Sequence, residues 1–317
     1  MLITRERSGL NGLLVCQRCG LGDRVILDIS AAIVNHASGY KSVGLGPEPK
    51  TVISEWKPAR KGFKRQEKEM AAVTVESHGK IALLRLTNHV TNAIGPTLVA
   101  DISSALSLIT TDFRGCVLAG GTKFFSIGLD LPALVHLSRR EMSRFWDEFD
   151  QAVLDLYRLP LPTAAAIAGH ATAGGTILAL STDYRLIAAG RKLMGLNEIN
   201  IGVPVPFLAA LMLRQIVGDR TARDLQYKGD LIHPETAKNF GLVDDIGPEE
   251  KIEALALEAV GTLADKPQGA FGLVKRYRTE SVVRRFERRR REKKEEMLAC
   301  WFQPTVQEML KKAAEKF

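Results

Sequence analysis

Beyond Met70 this 317-residue chain alternates short apolar stretches of strand length with longer stretches of helical spacing, a pattern that confines it to an α/β architecture. Residues 73–76 and 81–86 read as a hairpin around His78-Gly79, and 96–109 as a helix with Pro96 in its first turn. A buried strand over 116–119 leads to a glycine-bearing loop, a helix over 139–159 with one polar face, and a strand of small residues over 163–168. A second glycine turn opens a helix over 174–180, and 184–188 is a further strand. Residues 204–217 read as apolar helix, and 249–263, 271–300 and 304–315 as a helical C-terminal part. The expected organisation is a leading segment 1–69, a core 70–265 and a helical end 266–317.

Apolar residues make up 45% and charged residues 25%, which argues against both wholesale disorder and a membrane protein, and no apolar run is long enough to span a bilayer. The net charge of +8 is concentrated at the two ends. Residues 275–296 hold eleven Lys or Arg against five Glu. Such a mixed-sign run reads as a solvated helix face; its other reading is contact with phosphates, of a nucleotide-like ligand or of RNA. Four cysteines do not make a disulfide framework in a chain this size and point to a reducing compartment. The cytoplasm fits, and Arg5, Arg7, Arg18 and Arg24 keep the mitochondrial matrix open, although Glu6, Asp23 and Asp28 oppose a presequence. Cys16-Gln-Arg-Cys19 has the spacing of half a zinc site, but no second pair follows, so no metal is expected. Residues 1–69 lack periodicity; they read as a poorly ordered extension, or as upstream translation with Met70 as the start.

The stretch 195–206, GLNEINIGVPVP, sets one carboxylate, Glu198, in an otherwise uncharged loop entering an apolar helix. A carboxylate in dry surroundings is a candidate proton shuttle, because burial raises its pKa toward neutrality. Two upstream turns, FFSIGLDL at 124–131 and AGHATAGGTILAL at 168–180, lie at strand-to-helix junctions. Backbone N–H groups at a helix start have no intrahelical partner and favour a nearby negative oxygen. Glycines 128, 174 and 175 would let a ligand approach that backbone closely. Each turn alone is weak evidence, since glycine there is more often a tight turn; the ordered combination with Glu198 is more specific.

With these motifs in place, residues 71–317 resemble the crotonase, or enoyl-CoA hydratase/isomerase, superfamily. CVLAGGTKFFSIGLDL is similar to that family's first oxyanion segment and IAGHATAGGTILALSTDYRLIA to its second. The resemblance implies a crotonase-like spiral of ββα units with a helical C-terminal segment. It also implies an acyl-CoA thioester as substrate, so that coenzyme A belongs to the substrate and no separate cofactor is needed. The N–H groups of Leu129 and Gly174 would bind the thioester oxygen, and Glu198 would be the acid-base residue. Lys123, Ser126, Gly128, Asp130, Leu131, Gly175, Ile177 and Lys275 are the expected substrate contacts, Lys123 and Lys275 through phosphate. The family implies a homotrimer or hexamer formed through C-terminal helices, with no membrane or nucleic-acid partner.

One departure carries more information than the matches. Where hydratases of the family have a second glutamate, this chain has Ile177. A single glutamate is the pattern of 3,2-trans-enoyl-CoA isomerases, whose motifs are similar to residues 173–185 and 195–207. The expected activity is therefore movement of a double bond from C3–C4 to C2–C3. A hydratase, thioesterase or dehydratase of the same family and an RNA-binding homologue with residual catalysis are the alternatives. Asp130 is expected to fix its turn, His170 to be a packed histidine, and Asp183 and Arg185 to form a local ion pair or cap. Phe145, Trp146 and Phe149 read as core, with lining of an acyl tunnel as the second reading.

Overall fold

The computed structural model describes residues 72–316. The expectations about Cys16, Cys19, Met70 and the leading segment lie outside these residues. Strands β1 (Val73–His78) and β2 (Ile81–Leu86) form the antiparallel hairpin, with Gly79 at φ 65° in its turn. Helix α1 (Pro96–Asp112) carries the chain to β3 (Gly115–Ala119), which pairs parallel to β2. From here a pattern repeats. Each turn of the chain lays one strand into a large sheet and the next into a small one.

The large sheet takes β3, β5 (Thr163–Ile167), β7 (Tyr184–Ala188) and β9 (Asp245–Gly247), giving the order β1-β2-β3-β5-β7-β9, parallel beyond the hairpin. The small sheet takes β4 (Phe124–Ser126), β6 (His170–Thr172) and β8 (Met194–Gly195), all parallel. Helices α2 (Leu131–Leu134), α3 (Arg139–Tyr157) and α4 (Gly174–Leu180) lie between these strands. The spiral of strand, strand and helix is the expected crotonase-like one.

Strand β5, TAAAI, is buried at every residue, as a parallel strand covered on both faces must be. Helix α7 (Ile252–Ala264) covers one face of the large sheet through Ile252, Ala256 and Val260, packed on Leu83, Val117, Ala164 and Ala166. The opposite face meets the main core of α1, α3 and α4, including Ile102, Phe149 and Leu178. A capping box starts α3: the Ser138 hydroxyl accepts from Glu141 N (3.3 Å), and Glu141 Oε2 accepts from Ser138 N (2.8 Å).

The apolar helix after Glu198 begins later than its periodicity predicts, because Pro204 and Pro206 hold the chain extended. Helix α5 runs Phe207–Lys228 and is broken at Gly218, whose φ of 76° no helix accepts. Helix α6 (Pro234–Asn239) precedes β9. The C-terminal part is the 34-residue α8 (Gln268–Trp301) followed by α9 (Pro304–Ala314). The basic run lies on α8 and several of its cations are paired: Arg289 with Glu292 (2.6 Å), Lys293 with Glu296 (2.7 Å) and Lys294 with Asp147 (2.7 Å); Glu295 of the same run takes Arg139 of α3 (2.9 Å). No helix among the described residues is long and apolar enough to cross a membrane.

Candidate active site

Three parallel strands end side by side, and the segments leaving their carboxyl ends build the site. β4 runs into Ile127-Gly128-Leu129, β6 into Ala173-Gly174, and β8 into a short 3₁₀ turn, Glu198–Ile201. Ligand sites favour the carboxyl ends of parallel strands because the loops there converge.

The turns are held by hydroxyl groups. Thr172 Oγ1 donates to Ile127 O (2.9 Å), joining the second turn to the first. Thr176, fully buried, donates to Ala171 O (2.7 Å) and accepts from Gly195 N (3.0 Å), joining the second turn to the strand that leads to Glu198. Ser126 donates to Asn92 O (2.7 Å) and accepts from Gly128 N (3.2 Å). Sequence reasoning missed Thr176; its only signal was a hydroxyl residue directly after the Gly174-Gly175 pair.

Gly128 has φ 96° and backs onto Gly174 so closely that a Cβ on it would lie 2.9 Å from the Gly174 nitrogen. Ala173, before Gly174, is held at φ 48° and ψ −118°, a conformation that costs a non-glycine residue about 1–3 kcal/mol. Among the described residues neither the Leu129 nor the Gly174 N–H has a hydrogen-bond acceptor. Gly174 opens α4, so its N–H is one that a helix leaves unpaired. Both residues line the same cavity.

That cavity has a volume of about 450 Å³. Apolar side chains dominate its wall, among them Phe124, Ile127, Leu131, Ile177, Val203 and Met297. Trp146 and Phe149 of α3 line it too, so these two aromatics serve both core and cavity, while Phe145 packs in the core. Trp301 of α8 meets Trp146 edge to face, with centroids 6.4 Å apart. Helix α9 closes the far side. Its Val306 and Met309 brace Gly202, the left-handed end of the Glu198 turn, and Ala313 and Lys316 reach the cavity wall.

Glu198 is 6% exposed, and neither carboxylate oxygen has a hydrogen-bond partner among the described residues. Burial pushes its carboxyl up to about 7. It is the one carboxylate among the described residues lining the cavity, and Ile177, 2% exposed, presents a hydrocarbon side chain to the same space.

Other expected site residues fall elsewhere. Asp130 caps α2, accepting from Ala133 N (3.2 Å), which is the turn-fixing role expected of it. Ser126 and Gly175 support the turns from behind. The Ser126 hydroxyl is fully engaged, and Gly175 lies so close to the Ser126 carbonyl that no side chain fits there. Lys123 is exposed, with its ammonium 5.5 Å from the ring centroid of the cavity-lining Phe124. His170 is packed: its Nδ1 accepts from Leu193 N (3.1 Å), and burial, with help from Lys192, lowers its pKa.

Lys275 requires a correction. It is 3% exposed, and its ammonium donates to Asp183 (2.7 Å), Leu161 O (2.9 Å) and Thr163 Oγ1 (3.3 Å), so all three protons are used inside the fold and none is left for a phosphate. The Asp183–Arg185 pairing is corrected with it. Asp183 takes Lys275 and Arg278 (2.7 Å), whereas the Arg185 side chain pairs with Asp244 (3.2 Å) and donates to the carbonyls of Thr182 and Leu242. Helix α8 returns about ninety residues later to supply both cations, a contact that local spacing does not reveal.

A model of the enoyl-CoA hydratase/isomerase family matches residues 76–317. The chain belongs to that family. It is 30% identical over 218 residues to human mitochondrial enoyl-CoA delta isomerase 1, a match that spans 68% of this chain and 72% of that protein. It is also similar to a probable enoyl-CoA hydratase of Bacillus subtilis, with 32% identity over 200 residues, 62% of this chain and 76% of that one. Among solved structures, human mitochondrial delta3-delta2-enoyl-CoA isomerase superposes with a TM-score of 0.75 at 28% identity, covering 77% of this chain and 97% of that one. The chain is thus a crotonase-family homologue of enzymes, with isomerases and hydratases at similar identity.

Proposed function

We propose that this crotonase-family protein is an enoyl-CoA isomerase that converts a 3-enoyl-CoA to the 2-trans-enoyl-CoA through Glu198 alone. The observation that carries the reading is that Glu198 is the one carboxylate among the described residues of a cavity to which Ile177 offers only hydrocarbon.

A thioester acidifies the hydrogens on C2. When a double bond stands between C3 and C4, removing a C2 proton gives a dienolate whose charge spreads over the thioester oxygen, C2 and C4. The Glu198 carboxylate takes the C2 proton and becomes the acid; it then delivers that proton to C4 as the C2–C3 double bond forms. Protons and electrons balance within the substrate. A carboxyl with its pKa near 7 suits both halves, and such acid-base catalysis is worth about 10² to 10⁴ in rate. The free N–H groups of Leu129 and Gly174 receive the dienolate oxygen, each contributing on the order of 3 kcal/mol.

Hydration needs one group to activate water and another to return a proton, and an isoleucine at 177 does neither. The similarity to probable hydratases nevertheless supports hydration as the second reading. Product-resolved turnover of 3-enoyl-CoA and of 2-enoyl-CoA separates the two. The isomerase reading expects 2-trans-enoyl-CoA from the first substrate and little 3-hydroxyacyl-CoA from the second; dominant 3-hydroxyacyl-CoA would overturn it. An acyl-CoA substrate, a homotrimeric or hexameric state and the cytoplasm or mitochondrial matrix as compartment belong to the same proposal. The delta isomerase relatives named mitochondrial or peroxisomal support an organellar site. The ion pairs along α8 argue against RNA as its partner.

A further inference from the structure

The cavity of the site has an exposed side and a buried one. Lys316 is exposed and Thr91, Phe124 and Ile127 are half-buried, whereas Phe149, Trp301, Trp146 and Met297 are between 1% and 7% exposed. The phosphates of a coenzyme A ester stay in water, so that part of the molecule leaves by the exposed side. With the thioester oxygen at Leu129 and Gly174 and the C2–C4 unit at Glu198, the acyl tail runs on into the buried side. There each methylene taken out of water tightens binding about fourfold for as long as there is room.

What ends the room is a wall one residue thick. Trp146, Pro206 and Met297 border the cavity and also a separate void of about 20 Å³, space for one water, on their other side. Around that void stand Asp150, Arg290, Lys293 and Lys294, all part-buried. The Trp146 ring packs on those of Phe149 and Trp301, with centroids 5.8 and 6.4 Å away, and both of these residues line the cavity. A side chain held in this way cannot step aside, because close-packed interiors resist extra methylenes. A tail that did push past would set its terminal methyl among charges.

We infer that Trp146 and Met297 are specificity-determining residues that set the longest acyl chain the protein accepts: unbranched tails ending at this wall are taken, and longer ones are refused. The inference deepens the acyl-thioester reading above and rests on it. Removing either side chain joins the cavity to the void behind and moves the limit outward.

Binding of saturated acyl-CoA esters tests this without turnover. Titration calorimetry would follow the series from butanoyl-CoA to tetradecanoyl-CoA in two-carbon steps for wild type, Met297→Ala and Trp146→Phe. Phe145→Leu is the control, since Phe145 stands beside Trp146 but packs in the core. Trp146→Phe keeps an aromatic ring in the cluster and so preserves the test if Met297→Ala does not fold. In wild type, affinity should rise about fourfold per methylene up to a limiting length and then stop rising. In at least one of the two wall variants the rise should continue one step further, so that the first ester past the wild-type limit binds roughly tenfold tighter than it does to wild type. Phe145→Leu should keep the wild-type limit. A wild-type affinity that rises through the whole series, a limit that moves in neither wall variant, or one that moves as far in Phe145→Leu would overturn the inference and leave the thioester reading intact. Failure to bind any acyl-CoA ester would overturn both.

Discussion

Gly128 and Gly174 are in such close contact that any side chain on Gly128 would collide with the Gly174 nitrogen, 2.9 Å from where its Cβ would lie. The two turns that carry the free N–H groups therefore form one packed unit. Gly128→Ala would have to displace the Gly174 N–H or leave φ 96°, so we expect kcat to fall by about 10² to 10³ while far-UV circular dichroism stays near that of wild type. Full activity in this variant would show that the two N–H groups do not act together.

Glu198 links activity to stability with a definite sign. Its carboxyl ordinarily ionises at 4.5 and here near 7, so the protonated form is favoured by folding. The associated stability is fully present below about pH 4.5 and is lost as pH rises through 7, where the unpaired charge costs up to about 3 kcal/mol. Glu198→Gln should melt at about the wild-type temperature at pH 4.5 and several degrees higher at pH 8. Equal differences at both pH values would mean that the carboxyl ionises normally. Over the same range kcat/KM of the wild type should climb and level off above pH 7, because the base must be ionised.

Lys275 and Asp183 are a buried pair, and breaking one side strands the other. Asp183→Ala should lose about 3–5 kcal/mol in urea denaturation, and adding Lys275→Met should recover most of it. A ligand-binding lysine would behave differently: Lys275→Met alone would raise KM and leave stability unchanged.

Ile177→Glu places a second carboxylate on the cavity wall. We expect it to lower stability, since a buried charge has no partner there, and to bring measurable 3-hydroxyacyl-CoA from 2-enoyl-CoA. No gain in hydration would mean that residue 177 is not what separates the two reactions.

Much of this was legible in the sequence because it is local. The alternation of strand and helix, the turns at Gly128 and Gly174 and the isolated Glu198 in its uncharged loop are each written within a dozen residues. The features that escaped depend on distant segments meeting. Lys275 looked like a free cation because Asp183 is ninety-two residues away. Trp301 and Lys316 gave no sign of reaching the cavity, which they do because α8 and α9 fold back over it. Ser126 and Gly175 were recognised as important and misread as ligand contacts; they are important because they pack against each other behind the turns.

One carboxylate carrying a proton from C2 to C4 is the central claim. The most direct measurement uses a 3-enoyl-CoA deuterated at C2, with the position of the label in early product read by mass spectrometry and NMR for wild type and Glu198→Gln. A single-glutamate shuttle predicts deuterium at C4 of 2-trans-enoyl-CoA with wild type, retained because the buried Glu198 oxygens are shielded from water, and at least a hundredfold less product with the variant. Turnover by Glu198→Gln within tenfold of wild type would contradict it.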